Sequence, residues 1–181
     1  MPSIDVTHTF SSNWIYELPW GAQRMWGGWQ VSGILYLRSG IPVQITQSQS
    51  MLSTGVTNNR PNQICDPTLS DPTINMWFNT ACFVQVPDTT GTFGNTGRNS
   101  VRGPGLKNVD ASIIKNTKFG NINSELRLEI FNLFNTPQFN NPNGQLGNAA
   151  FGTISSIVAS PSCATCGTTE RQIQLAVKLK F

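Results

Sequence analysis

Residues Arg171 to Phe181 alternate without a break. Ile173, Leu175, Val177, Leu179 and Phe181 fall on one side of an extended chain, and Gln172, Gln174, Lys178 and Lys180 on the other. A period of two marks a β-strand with one apolar and one polar face. Chain ends usually fray, so an amphipathic strand of this length, ending on an aromatic ring, needs an apolar neighbour along its whole course. That neighbour is either a second sheet or lipid.

Composition narrows the choice. The chain has 181 residues of which 38% are hydrophobic, too many for a disordered segment. Charged residues make up only 12%, well under the usual share of about a quarter, and Asn, Thr, Ser, Gly and Gln supply most of the polarity. The net charge of +3 is small and the basic residues are scattered, which argues against nucleic acid as a partner. No run of about eighteen apolar residues exists, so no helix spans a membrane; a membrane strand needs only about ten alternating residues. Met1 to Phe10 lacks the basic cluster and apolar run of a secretory signal, whereas the body of the chain has an exported character. The expectation is a carboxyl-terminal piece of a longer chain, with residues 1–181 forming one incomplete barrel section.

Four further segments alternate. Thr7 to Leu18 sets Phe10, Trp14, Tyr16 and Leu18 against Thr9, Ser11, Asn13 and Glu17, with Ile15 as the exception. Trp29 to Thr46 follows, interrupted by a bulge or bend at Ser39, Gly40 and Pro42. Asn108 to Lys118 reads as a weaker strand, and Ser124 to Phe134 opens regularly before losing its period in Phe131-Asn132-Leu133-Phe134. The predicted fold is all-β: an antiparallel meander of about five long strands with two long loops.

Connection lengths sort by side. Pro19 to Gly28 is short, Gln47 to Lys107 long, Phe119 to Asn123 a tight turn, and Asn135 to Glu170 long again. Transmembrane barrels of the outer membrane have this pattern, with short periplasmic turns and extended external loops. If the last strand descends to the periplasm, Trp20, Trp26, Trp29, Phe119 and Phe181 gather at one membrane interface, where aromatic rings are favoured. The apolar faces then meet lipid, and Asn13, Glu17, Gln30, Arg38, Asp110, Glu125, Arg127, Glu129, Lys178 and Lys180 face a wet interior. In a soluble sandwich the same two faces would exchange roles.

Leu126 to Asn135, reading LRLEIFNLFN, with Pro137-Gln138-Phe139 behind it, resembles the penultimate strand of TonB-dependent outer-membrane receptors of the Oar-like branch. The segments YELPW (16–20), GWQVSG (28–33), SGIP (39–42), NRPN (59–62) and NTGRNSVRGPG (95–105) are similar to its late strands and external loops. No plug, TonB box or carboxypeptidase-regulatory-like domain is recognisable in the chain. The resemblance implies barrel wall and external loops of a transporter for a bulky solute, in the bacterial outer membrane. Implied partners are outer-membrane lipid, the rest of the barrel and its plug, TonB acting through a part not in this sequence, and the barrel assembly machinery. That machinery would read the terminal strand through Leu175, Val177, Leu179 and Phe181. Five strands cannot close a barrel, since the smallest membrane barrels need about eight.

Cys65 and Cys82 lie in the first long loop, Cys163 and Cys166 in the second. On the external side disulfides persist, and pairing Cys65 with Cys82 and Cys163 with Cys166 would close two local loops; three pairings remain open to four cysteines. Ser160-Pro161-Ser162 and Gly167-Thr168-Thr169 offer no helix start to activate a Cys-x-x-Cys thiol, and a four-cysteine zinc site would have only one paired spacing. His8 is the sole histidine and reads as a strand-end surface residue. No nucleophile elbow, triad or phosphate loop is legible. The expectation is therefore a non-enzyme without cofactor or metal; the competing reading is a secreted β-sandwich or adhesin module that binds through its long loops.

Overall fold

The alternating stretches form strands because extended backbone lets every second side chain share one environment. The computed structural model describes residues 5–19, 27–47, 59–87, 92–158 and 170–181. In chain order the strands are β1 (Thr9–Glu17), β2 (Trp29–Arg38), β3 (Pro42–Val43), β4 (Thr46–Gln47), β5 (Asn62–Gln63) and β6 (Phe83–Val84). They continue with β7 (Val101–Arg102), β8 (Leu106–Phe119), β9 (Ile122–Phe131), β10 (Gln145–Leu146) and β11 (Gln172–Lys180). A 3-10 turn, Thr80–Cys82, is capped by the Asn79 side chain, which accepts from the Ala81 N–H.

The five long strands form one antiparallel sheet in the order β1-β2-β8-β9-β11. Three details depart from the sequence expectation. The segment read as the weakest strand, β8, is the longest at 14 residues; as the middle strand it gains ladder bonds from both sides, which offsets its poor alternation. Trp29 to Thr46 is not one bent strand: β2 stops at Arg38, and β3 and β4 pair instead with β7 and β10. β9 stops at Phe131 because Asn132 takes a left-handed φ of 49°, which ends the ladder. β8 and β9 are joined through Gly120 and Asn121 alone, with Gly120 at φ 58°.

By contacts the chain divides into two compact units. One is the sheet, made of residues 8–38, 106–138 and 157–181. The other joins the amino-terminal residues to 39–105 and 139–156, so both long loops contribute to it. The buried apolar cluster lies in this loop unit: Val43, Ile45, Phe78, Cys82, Phe83 and Val101, with Trp77, Leu146 and Phe151 packed against it. Phe78, Phe83 and Phe151 meet edge to face at centroid separations of 5.2 to 5.9 Å. The disulfide Cys65–Cys82 ties the start of β6 back to the segment after β5. Gln47, fully buried, accepts from the Val86 N–H at 3.0 Å and donates to its carbonyl at 3.3 Å, so its amide stands in for a strand.

Candidate functional site

Register decides which side chains share a face. Directly opposed residues of an antiparallel pair lie on the same side. One face carries Asn13 and Glu17 from β1, Gln30 and Arg38 from β2, Asp110 from β8, Glu125, Arg127 and Glu129 from β9, and Lys178 and Lys180 from β11. The other carries Trp14, Val31, Leu35, Val109, Ile113, Leu126, Leu128, Leu175, Val177 and Leu179. Leu175 is 68% and Val177 62% exposed, so among the described residues no second protein layer encloses them. A soluble protein seldom leaves so much contiguous apolar surface open.

On the polar face Arg127 bridges two carboxylates of its own strand, Glu125 at 2.7 Å and Glu129 at 3.2 Å. Lys178 stands opposite Glu125 and Gln174 opposite Glu129. Glu125, Lys178 and Lys180 share a shallow recess of about 250 Å³ with Asn116 and Lys118. Nearer the sheet centre the Ser32 and Ser112 hydroxyls are hydrogen-bonded at 2.5 Å. The arrangement is a ladder of charged and small polar groups, suited to a water-lined wall. Among the described residues no cluster of His, Cys, Asp or Glu could hold a metal ion.

Asp110 differs from the expectation of a wetted side chain: it is only 7% exposed. Its carboxylate accepts from the Asn132 N–H at 2.8 Å and from Asn108 Nδ2 at 2.9 Å. Here β8 runs on beyond the end of β9, and the segment after β9 folds back to satisfy it. Leu133 N–H bonds to the Val109 carbonyl at 2.7 Å. Gln138 accepts from the Lys107 N–H at 3.0 Å and donates to its carbonyl. Asn132 in turn closes its own loop on both backbone groups of Thr136. FNLFN and PQF therefore form a clamp on the end of β8, a role without any local sequence signal.

The interface aromatics split. Phe119 faces Ile122 at the short-turn end, and Phe181 follows Lys180, opposite Asn123, at that same end; both rings are exposed. Trp29 lies opposite Lys115, four residues back from Phe119, with the Lys115 ammonium 5.2 Å from its ring. Trp20 and Trp26, like Cys163 and Cys166, lie outside the described residues. His8 is exposed immediately before β1.

In the loop unit, SGIP and the glycine-rich stretch 95–105 are brought together. A Cβ on Gly40 would come within 1.8 Å of the Gly103 carbonyl oxygen, and Gly103 N–H bonds to the Ile41 carbonyl at 2.9 Å. Close backbone crossing explains glycine at 40, whereas a Cβ at 103 would come within 2.0 Å of the Asn141 side-chain oxygen. Thr68 N–H donates to the Asp66 carboxylate at 2.9 Å, which holds that carboxyl below the ordinary carboxylate range.

An antiparallel amphipathic wall, polar on one face and open and apolar on the other, defines a transmembrane β-barrel section. The chain belongs to the outer membrane beta barrel domain family, whose model matches residues 2–174. It is a protein of the bacterial outer membrane and contributes barrel wall there. No curated protein and no solved structure matches it.

Proposed function

We propose that this wall belongs to a TonB-dependent outer-membrane transporter of the Oar-like branch, taking up a bulky solute, with both long loops on the external side. The carrying observation is the use made of the segments that resemble that branch. LRLEIFNLFN with PQF builds β9 and the clamp on β8. SGIP and NTGRNSVRGPG cross at Gly40 and Gly103 in the loop unit. The chain acts by binding and passage rather than by covalent chemistry and uses no cofactor.

Its partners in this reading are lipid on the apolar face, further strands of its own barrel, a plug inside, TonB, and the assembly machinery engaging β11. Among the described residues Thr9–Glu17 and Gln172–Lys180 each pair with a strand on one side only, which leaves two edges for those further strands. The test is a photo-cross-linking experiment on the intact parent gene product in outer membranes. A cross-link to TonB is expected; a heat-modifiable barrel that never captures TonB would overturn the transporter reading while leaving the barrel in place.

A further inference from the structure

We propose that the polar face of the sheet carries a binding site for a phosphoryl group, as free phosphate or as a phosphate ester, in the recess where Lys118, Lys178 and Lys180 stand around Asn123 near the β8–β9 turn. Three of the chain's five lysines line this one recess of about 250 Å³. In a chain with only 12% charged residues, that gathers positive charge in one place instead of spreading mixed signs over a solvated face.

Register sets the arrangement. Lys118 of β8 and Lys180 of β11 both stand opposite Asn123 of β9, so they flank it from either side. Their backbones are two strand spacings apart, about 10 Å, and their four-carbon stems can close over the short amide between them. Lys178 lies two residues before Lys180 on the same face, opposite Glu125. Among the described residues none of the three ammonium groups takes part in an ion pair. Glu125 is the only carboxylate in the lining, and Arg127 already holds it at 2.7 Å. Like charges gathered in this way repel one another, and a recess focuses their field on whatever enters it. A bound anion removes the repulsion.

The kind of charge selects the ligand. The Arg127 guanidinium is spent on Glu125 and Glu129, so it offers no free planar fork for a carboxylate. Separate ammonium groups are point charges on flexible stems, and they can close on a tetrahedral anion from several sides. A phosphate group carries nearly two charges at neutral pH, against one for a carboxylate. The recess is smaller than the roughly 300–1,000 Å³ of drug-sized sites, which suits a compact group. Lysines confined to one recess, not drawn out as a stripe, do not match a nucleic-acid strand. The site rests on the polar face being wet and does not depend on TonB or on which solute crosses the barrel.

The experiment is a calorimetric titration of the complete outer-membrane protein, in non-ionic detergent at neutral pH and low ionic strength, with inorganic phosphate, glycerol 3-phosphate and succinate. Saturable binding of phosphate or its ester is expected, with succinate weaker, and added salt should weaken it. An ester that binds tighter than free phosphate assigns the site to an esterified solute; one that binds equally or less tightly assigns it to the free ion. Lys178→Gln alone should weaken binding about two- to fivefold, and Lys118→Gln, Lys178→Gln and Lys180→Gln together about tenfold or more. Lys107→Gln, outside the recess, should leave it unchanged. Absence of saturable binding by both phosphoryl compounds overturns the proposal. So does binding unchanged in the triple variant or, should that variant give no heat-modifiable barrel, in Lys178→Gln. Succinate or an acidic peptide binding as tightly as phosphate also overturns it.

Discussion

The indole of Trp14 in β1 lies over Gly33 in β2, its register partner: a Cβ built on Gly33 would come within 2.5 Å of Cζ2 and 2.7 Å of Cε2. The glycine makes room for the ring on the lipid-facing side, and the ring covers backbone that a glycine leaves bare. Gly33→Ala should force the indole outward and cost about 1–3 kcal/mol of sheet stability, the usual range for overpacking. In a Trp14→Ala background the same change should be close to neutral. A double-mutant cycle on urea unfolding in detergent measures the difference, and equal costs in both backgrounds would contradict the pairing.

Val177 and Lys178 are neighbours in β11 on opposite faces. Val177→Arg puts a charge into hydrocarbon and should cost about 2–4 kcal/mol if the site lies near mid-membrane. Lys178→Gln, on the wet side, should stay within about 0.5 kcal/mol. The yield of heat-modifiable barrel in outer membranes reads both; equal yields would mean that the faces are reversed or that neither meets lipid.

Arg127 holds Glu125 and Glu129 apart in charge terms, yet its side chain remains 41% exposed. Screening by water keeps the value of such a triad to about 1 kcal/mol at most. Arg127→Met should destabilise by that amount in low salt, and the effect should shrink in 1 M salt. Adding Glu125→Gln and Glu129→Gln should recover most of the loss. Chemical denaturation at two ionic strengths provides the check.

Cys65 and Cys82 are 17 residues apart in sequence. Loop-closure entropy for a ring of that size is worth about 3 kcal/mol. Because the bridge belongs to the loop unit, reduction should expose residues 60–87 to protease while the five-strand sheet keeps its heat-modifiable mobility. Mass mapping of the fragments distinguishes this from global unfolding.

The Asp66 carboxyl titrates lower in the folded loop than its ordinary value of 3.8, because the Thr68 N–H favours the charged form. A depressed carboxyl stabilises the fold above its unfolded pKa, and that contribution vanishes as pH falls through the folded value. Protection of the Thr68 amide, measured against its intrinsic exchange rate, should therefore fall below about pH 4 in the wild type. In Asp66→Asn the rate, corrected for intrinsic exchange, should show no such step.

The strands were legible because alternation is a local property: Phe10 against Ser11, Leu126 against Arg127 and Leu175 against Gln174 each announce a face without reference to the rest of the chain. Their partners followed from meander order, across two short connections and two long ones. Illegible were the ends. Ser39, Gly40 and Pro42 signalled a bend after Arg38 but not the close of β2, since Pro42 and Val43 leave to pair with Arg102 and Val101, some sixty residues on. Asp110 read as one more wet carboxylate, although Asn132 and Asn108 bury it.

From the amino-acid order alone came the five-strand sheet, its two faces and its membrane setting, since each depends on a period of two that every strand carries within itself. Tertiary structure alone decided the loop unit. Phe78, Phe83 and Phe151 form one cluster from two separate connections, and Trp77 comes to share a cavity with Asn99 and Ser100. Such contacts join residues far apart in the chain, where only the closed fold determines which side chains meet.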